Sequence, residues 1–176
     1  MDAFLKTLQT LPEAAELVSR VENGGCPAVL TGTQPVQRAC IGAAVADGSK
    51  RPMVFLCADE REAQQLAGDL KSLTGTEPVT FFAREWQFRP NAVSSREWER
   101  SRLAALHRMA QGAAPVVVAT VDALLARTMP RPRLAALSMT LEPGGRADLN
   151  RLTAQLMQAG YTRCDQVEGV GQFALR

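Results

Sequence analysis

Two periods of hydrophobicity alternate along this chain. Short unbroken apolar runs occupy residues 27–31, 53–58, 79–82 and 115–120, and between them lie stretches whose apolar residues return every three or four positions. Unbroken runs of that length predict strands buried on both faces of a parallel sheet. The stretch DEREAQQLAGDLKSL after residue 58 predicts a helix. Its Ala63, Leu66, Ala67, Leu70 and Leu73 fall on one face, Asp59 stands at the N-cap, and acidic residues fill the first turn. Residues 1–18 predict one amphipathic helix and 36–45 a helix of small residues. Residues 96–112 predict a helix closing on Gly112, with Leu103, Leu106 and Ala110 inward. A short helix over 121–129 is stopped by PRPR at 130–133, which predicts a rigid, solvated linker.

Strand and helix therefore alternate from residue 26 to about 129, which predicts an α/β domain with a parallel sheet, right-handed crossovers and helices on both faces. The tail changes character. Residues 134–145 predict a strand and turn, 146–160 a helix capped by Gly160, and 161–176 two short strands about a turn at 169–171. The expected division is 1–130 and 131–176. The second part is too short to enclose a core alone and ends on a strand, so it is expected to be the first part of a truncated small α+β domain.

Composition narrows the class. With 46% apolar and 22% charged residues and a net charge of +2, the chain can bury a core and is not a strongly basic nucleic-acid binder. No apolar run approaches the roughly 20 residues of a membrane span. The N-terminus lacks the basic start and cleavage site of a signal peptide. Four scattered cysteines (Cys26, Cys40, Cys57, Cys164) and one histidine, His107, argue against a zinc site or disulfide framework and for reduced thiols in a cytoplasmic protein.

The candidate chemistry lies at LTGTQPVQRACIGAAV, residues 30–45, where an apolar run, a glycine turn and a helix follow one another as they do around bound triphosphates. A working phosphate loop reads Gly-x4-Gly-Lys-Ser/Thr: backbone N–H groups wrap the phosphates, lysine reaches the outer ones, and a hydroxyl holds magnesium. Framed on Gly32, this chain has Gln37 at the second glycine, Arg38 at the lysine and Ala39 at the hydroxyl, while Pro35 deletes an N–H donor. Gln37 brings a Cβ where phosphate must approach, and Ala39 cannot hold a metal. The loop is expected not to bind ATP, and no cofactor or metal is expected in this chain.

Other candidates read as structure. Arg84, Trp86, Phe88, Arg89, Arg96, Trp98 and Arg102 interleave bases with aromatics in a way that suits single-stranded nucleic acid. Glu85, Glu97 and Glu99 offset that charge, however, and the tryptophans suit packing. His107 lacks an evident carboxylate or serine partner, which makes it a surface or satisfied histidine. Asp59 and Glu60 follow a strand, where a metal-binding pair can sit, but they fit a helix cap and first-turn acids better.

The order of these segments resembles the N-terminal region of the bacterial transcription-repair coupling factors (Mfd), whose first domains are similar to the excinuclease subunit UvrB. The resemblance runs through LTG and its degenerate loop, RPMVFLCADEREAQQLAGDL, FFAREWQFRP, SSREWERSRLAALHRM and PVVVATVDALLARTMP. It ends in LTAQLMQAGYTRCDQVEGVGQFALR, where Ala159, Gly160, Tyr161, Arg163, Asp165, Val167, Gly171, Phe173, Ala174 and Arg176 match the family pattern. UvrB keeps an intact phosphate loop and a tyrosine-rich DNA-gripping hairpin, whereas this chain has a single tyrosine, Tyr161. Both losses point to the coupling factor. Phe88 precedes Pro90 where the family places an aromatic after the proline, and Ser94-Ser95 stands where it often has Ser-Pro, so no role carries over to that loop.

The resemblance implies an ATPase/helicase-like (RecA-like) domain with a degenerate phosphate loop, followed by part of a UvrA-docking domain in which Arg176 contacts UvrA. It also implies that ATP, magnesium, duplex DNA and RNA polymerase are handled by a motor elsewhere in a longer protein, an ATP-dependent DNA translocase, so that this chain is not itself an enzyme. A UvrB-like or helicase-like DNA-binding fragment and a free-standing protein-binding adaptor are the alternatives.

Overall fold

Pro12 divides the N-terminal stretch into two helices, α1 (Asp2–Gln9) and α2 (Pro12–Asn23), where the apolar pattern predicts one. A proline lacks the N–H that an interior turn needs but is harmless in a first turn, so it starts α2 instead of interrupting α1. The structure, a computed structural model, describes residues 2–25, 27–83 and 96–175. These contain eight helices and five strands. By internal contacts the chain divides into two units, one of Met1–Glu85 with Arg108–Ala126, the other of Trp86–His107 with Arg127–Arg176. No helix among the described residues is long and apolar enough to cross a membrane.

In the first unit α3 (Pro35–Ser49), β1 (Met53–Cys57), α4 (Glu60–Thr74), β2 (Val79–Phe81), β3 (Val116–Thr120) and α6 (Val121–Leu125) follow in order. The three strands form a parallel sheet ordered β1-β3-β2, with Val54 and Val79 beside Val117 and Leu56 and Phe81 beside Ala119. This is the α/β class expected. Two expectations about the strands fail. Residues 27–31 form no strand, and Val29 is 87% exposed; apolar, β-branched character orders a strand only where a partner strand and a covering layer receive it. β1 is not buried on both faces either. It is the sheet's edge, and its Val54 and Leu56 are 60% and 55% exposed.

The core gathers Leu5, Ala43, Cys57, Ala63, Leu70 and Val118, with Phe55, Leu66, Ala67 and Leu73 packed against it. The stripe expected on α4 is therefore the face that α4 buries. Asp59 caps that helix as expected, its Oδ1 accepting from the Glu62 N–H at 2.8 Å. α1 is tied to α3 by Gln9, whose Nε2 donates to Ala44 O at 3.2 Å and to Asp47 Oδ2 at 2.9 Å. Lys50 and Gln9 hydrogen bonds hold the Asp47 carboxyl below the usual carboxylate range.

Gly42 lets α3 lie close to β1. A Cβ at that position would stand 2.4 Å from Phe55 Cε1 and 2.7 Å from Cζ. Gly42→Val is therefore expected to destabilise the first unit by about 1–3 kcal/mol through overpacking. The change should appear as a lower urea midpoint with an unchanged slope. Parent-like stability would mean that the Phe55 ring swings aside without cost.

In the second unit the helix α5 (Arg96–Ala110), which continues three residues into the first, keeps Leu106 and Ala110 half-buried but turns Leu103, expected inward, to the outside. Arg102 and Ala105 are buried, whereas Leu103 is 38% exposed. The inward spacing starts from half-buried Trp98, with the Arg102 guanidinium 5.5 Å from the centre of its ring. The linker expected at 130–133 is instead the start of α7 (Arg131–Leu137), with proline in the first turn and Leu134 buried. No strand forms in residues 138–145.

Asp148 caps α8 (Leu149–Gln158), its Oδ1 accepting from the N–H groups of Asn150 at 2.9 Å and Arg151 at 3.3 Å. Gly160, at φ 93°, ends that helical stretch in the left-handed region where glycine is favoured. β4 (Thr162–Arg163) and β5 (Gln172–Phe173) then pair in parallel. The two short strands expected are present, and the turn between them returns the chain for parallel pairing.

Candidate functional site

The phosphate-loop frame falls at the start of α3, and the chain's own side chains occupy that helix end. Gly32 takes φ 76°, the left-handed turn its position calls for. Gln34 is the N-cap. Its backbone N–H donates to Gln37 Oε1 at 2.8 Å, and its side chain accepts from the backbone of Gln37, forming a reciprocal capping box. Pro35 sits in the first turn, where it offers no N–H. Pro35 thus presents no donor at this helix end, and the N–H groups of Gln34 and Gln37 are engaged by glutamine.

The remaining two positions of the frame turn away from an anion. Arg38 Nη2 lies 3.3 Å from Glu62 Oε1 on α4. Ala39 is fully buried, packed into the unit instead of lining the loop. Glu62 also accepts from the Ala58 N–H at 3.2 Å, so it braces the end of β1 while it holds Arg38. Burial pushes the thiol of Cys57, at the end of β1, upward, and the charge of Glu62 adds to the effect.

The other candidates take structural roles. Asp59 caps α4, and Glu60 Oε1 accepts from Gln64 one turn on at 2.8 Å. His107 is half-buried near the end of α5. Arg84, Trp86, Phe88 and Arg89 lie outside the described residues. Of the stretch that follows, Arg102 is 8% exposed and stacked on Trp98, and burial lowers its pKa. Glu97 pairs with Arg100. Two members of the basic–aromatic series are therefore spent on each other, a consequence of their i, i+4 spacing that composition does not reveal. Among the described residues no three His, Cys, Asp or Glu side chains could hold a metal ion together.

The tail motif builds a small platform. Phe173 is buried at 9% exposure, while Tyr161, Val167 and Val170 are 44%, 51% and 39% exposed. The loop between β4 and β5 is organised by Gln172, whose Oε1 accepts from the N–H groups of Glu168 at 2.8 Å and Gly169 at 3.1 Å. Sequence reasoning passed over Gln172, because a glutamine between glycine and phenylalanine carries no signal of a turn acceptor. Arg176 lies outside the described residues.

No family model matches the chain. Over its whole length it is 25% identical to the transcription-repair-coupling factor of Bacillus subtilis, spanning 15% of that protein. It is 30% identical over 94% of its length to the coupling factor of Mycobacterium bovis, spanning 14% of it. It is 26% identical over 92% of its length to UvrABC system protein B of Renibacterium salmoninarum, spanning 25% of that relative.

Proposed function

We propose, for a chain homologous to the UvrB-like N-terminal region of transcription-repair coupling factors, that it is a non-catalytic module of DNA repair. Its job in this reading is to recruit UvrA to RNA polymerase stalled at damage, as a step of nucleotide excision repair in the cytoplasm. The first unit is a RecA-like domain that keeps the frame of a phosphate loop without its chemistry. The tail, through Arg176 and the exposed apolar residues before it, begins the UvrA-docking surface. ATP, magnesium and duplex DNA belong to a motor outside these 176 residues.

The observation that carries the non-catalytic reading is the α3 N-terminus. A nucleotide arriving there would meet the Gln34–Gln37 capping box, the missing N–H of Pro35 and an Arg38 already drawn to Glu62. Displacing those partners costs binding free energy that an intact loop does not spend. Titration calorimetry with ATP and magnesium is expected to show no saturable binding up to millimolar nucleotide. A saturable, magnesium-dependent isotherm would sink this reading.

The similarity to UvrABC system protein B supports a second reading, direct DNA binding. Its mark is affinity that falls steeply with salt as phosphate contacts release counterions. The packing of Arg102 on Trp98 leaves that stretch poorly placed for base stacking.

A further inference from the structure

The chain has three asparagines, Asn23, Asn91 and Asn150, and only Asn23 is followed by glycine. Asn23 closes α2, and Gly24 and Gly25 carry the chain away from it. Asn23, Gly24 and Gly25 are all exposed. An asparagine amide is open to attack by the backbone nitrogen of the residue after it. That nitrogen is least hindered where the following residue has no Cβ. The sequence therefore places a reactive pair at Asn23–Gly24.

The structure shows what restrains the pair. Gly24, at φ 73°, is the left-handed cap of α2, and its N–H donates to Arg20 O. The Gly25 N–H donates to the same oxygen at 2.8 Å. One turn back along the helix, Ser19 Oγ accepts from Asn23 Nδ2 at 3.2 Å. The attacking nitrogen and the amide it must reach are thus each held to α2. All of these partners are local to an exposed helix end, where opening costs little free energy.

We propose that Asn23 is a site of spontaneous conversion to aspartate and isoaspartate, gated by fraying of the α2 cap. When the cap opens, the Gly24 nitrogen loses its proton to solvent base and bonds to Asn23 Cγ. The Cγ–Nδ2 bond breaks, and Nδ2 leaves as ammonia, regaining through solvent the proton that Gly24 gave up. Water then opens the resulting cyclic imide at either carbonyl, giving aspartate or isoaspartate. The only co-reactant is water. Both products add a carboxylate at the negative end of the α2 dipole, beside Glu22. In isoaspartate the main chain also runs through Cβ, which takes the Gly24 N–H out of register with Arg20 O. The last turn of α2 then loses its cap, and the change is one-way. This chemistry lies in the first unit and does not depend on docking by the tail.

The test is to hold the folded chain in mildly alkaline buffer made with heavy-oxygen water and follow the peptide containing Asn23 by mass spectrometry. Opening of the imide places a heavy oxygen in the new carboxyl group, which marks conversion during the incubation. Asn23 is expected to convert faster than Asn150 in the folded chain, with isoaspartate among its products. In guanidinium chloride the conversion of Asn23 should be about tenfold faster or more, because the folded rate is the open fraction of the cap times the rate in the open chain. That open fraction is measured independently by hydrogen exchange at the Gly24 amide. Its protection should match the slowing of conversion to within about threefold. Conversion of Asn23 no faster than that of Asn150 would overturn the site. Equal rates in the folded and unfolded chain would overturn the gate. So would protection at Gly24 far greater than the slowing, which would mean that the attack proceeds with the cap closed.

Discussion

Leu70→Ala is expected to destabilise the first unit by about 2–5 kcal/mol. Leu70 is 1% exposed, and with Val118 it is among the largest fully buried side chains. It comes from the inward face of α4 and meets Leu5, Cys57 and Val118, so its removal opens a void between helix and sheet. Neither layer can close over that void easily, because Asp59 fixes the start of α4 and β3 is paired on both edges. In urea the midpoint should fall by roughly 1–2.5 M at constant slope, for a typical slope near 2 kcal/mol/M. Leu124→Ala, on a side chain 52% exposed in the same unit, serves as the control and should shift it little. If the two variants behaved alike, the α4 face would not be the core.

The same helix shows what a sequence reveals and why. α4 was readable because its signals are local: a capping aspartate, acids in the first turn and an apolar residue every third or fourth position. The strands at 53–57, 79–81 and 116–120 were readable as unbroken apolar runs, but which of them lies in the middle was not. That order depends on long-range pairing, so β1 looked doubly buried and is an edge. The run at 27–31 looked like a strand and found no partner.

Proline was read as a stop at 130–133, although it equally starts a helix, as it does in α2 and α7. On α5 the apolar pattern placed Leu103 inward, and Arg102, stacked on Trp98, is buried in its stead, because an arginine stem buries as well as a leucine does. At the candidate site, the departures from a phosphate-loop frame at Gln37 and Ala39 are visible in the sequence. The capping box and the Arg38–Glu62 pair are not, since each depends on where side chains turn in space.

Arg176→Ala is expected to weaken binding of UvrA by at least about 30-fold, the loss of roughly 2 kcal/mol that marks an interface hot spot. The prediction rests on the proposed docking role and on the platform that leads to this residue. Thr162 N–H donates to Gly171 O at 2.8 Å and Cys164 N–H to Phe173 O at 3.0 Å, so β5 is anchored through Phe173, three residues before the arginine. Truncating a side chain beyond that anchor should leave the β4–β5 pairing intact, and retained protection of the Thr162 and Cys164 amides would confirm it. Arg176→Lys separates charge from shape. A guanidinium fork pairs with a carboxylate in two places and an ammonium in one, so lysine should recover only part of the affinity. Full recovery by lysine would mean that Arg176 acts only as a point charge. An alanine variant that binds like the parent would remove Arg176 from the interface while leaving the docking surface itself in place. A parent chain that fails to bind UvrA at all would remove the recruiting role, and the α3 loop would then stand as a lost nucleotide site in a chain whose partner lies elsewhere.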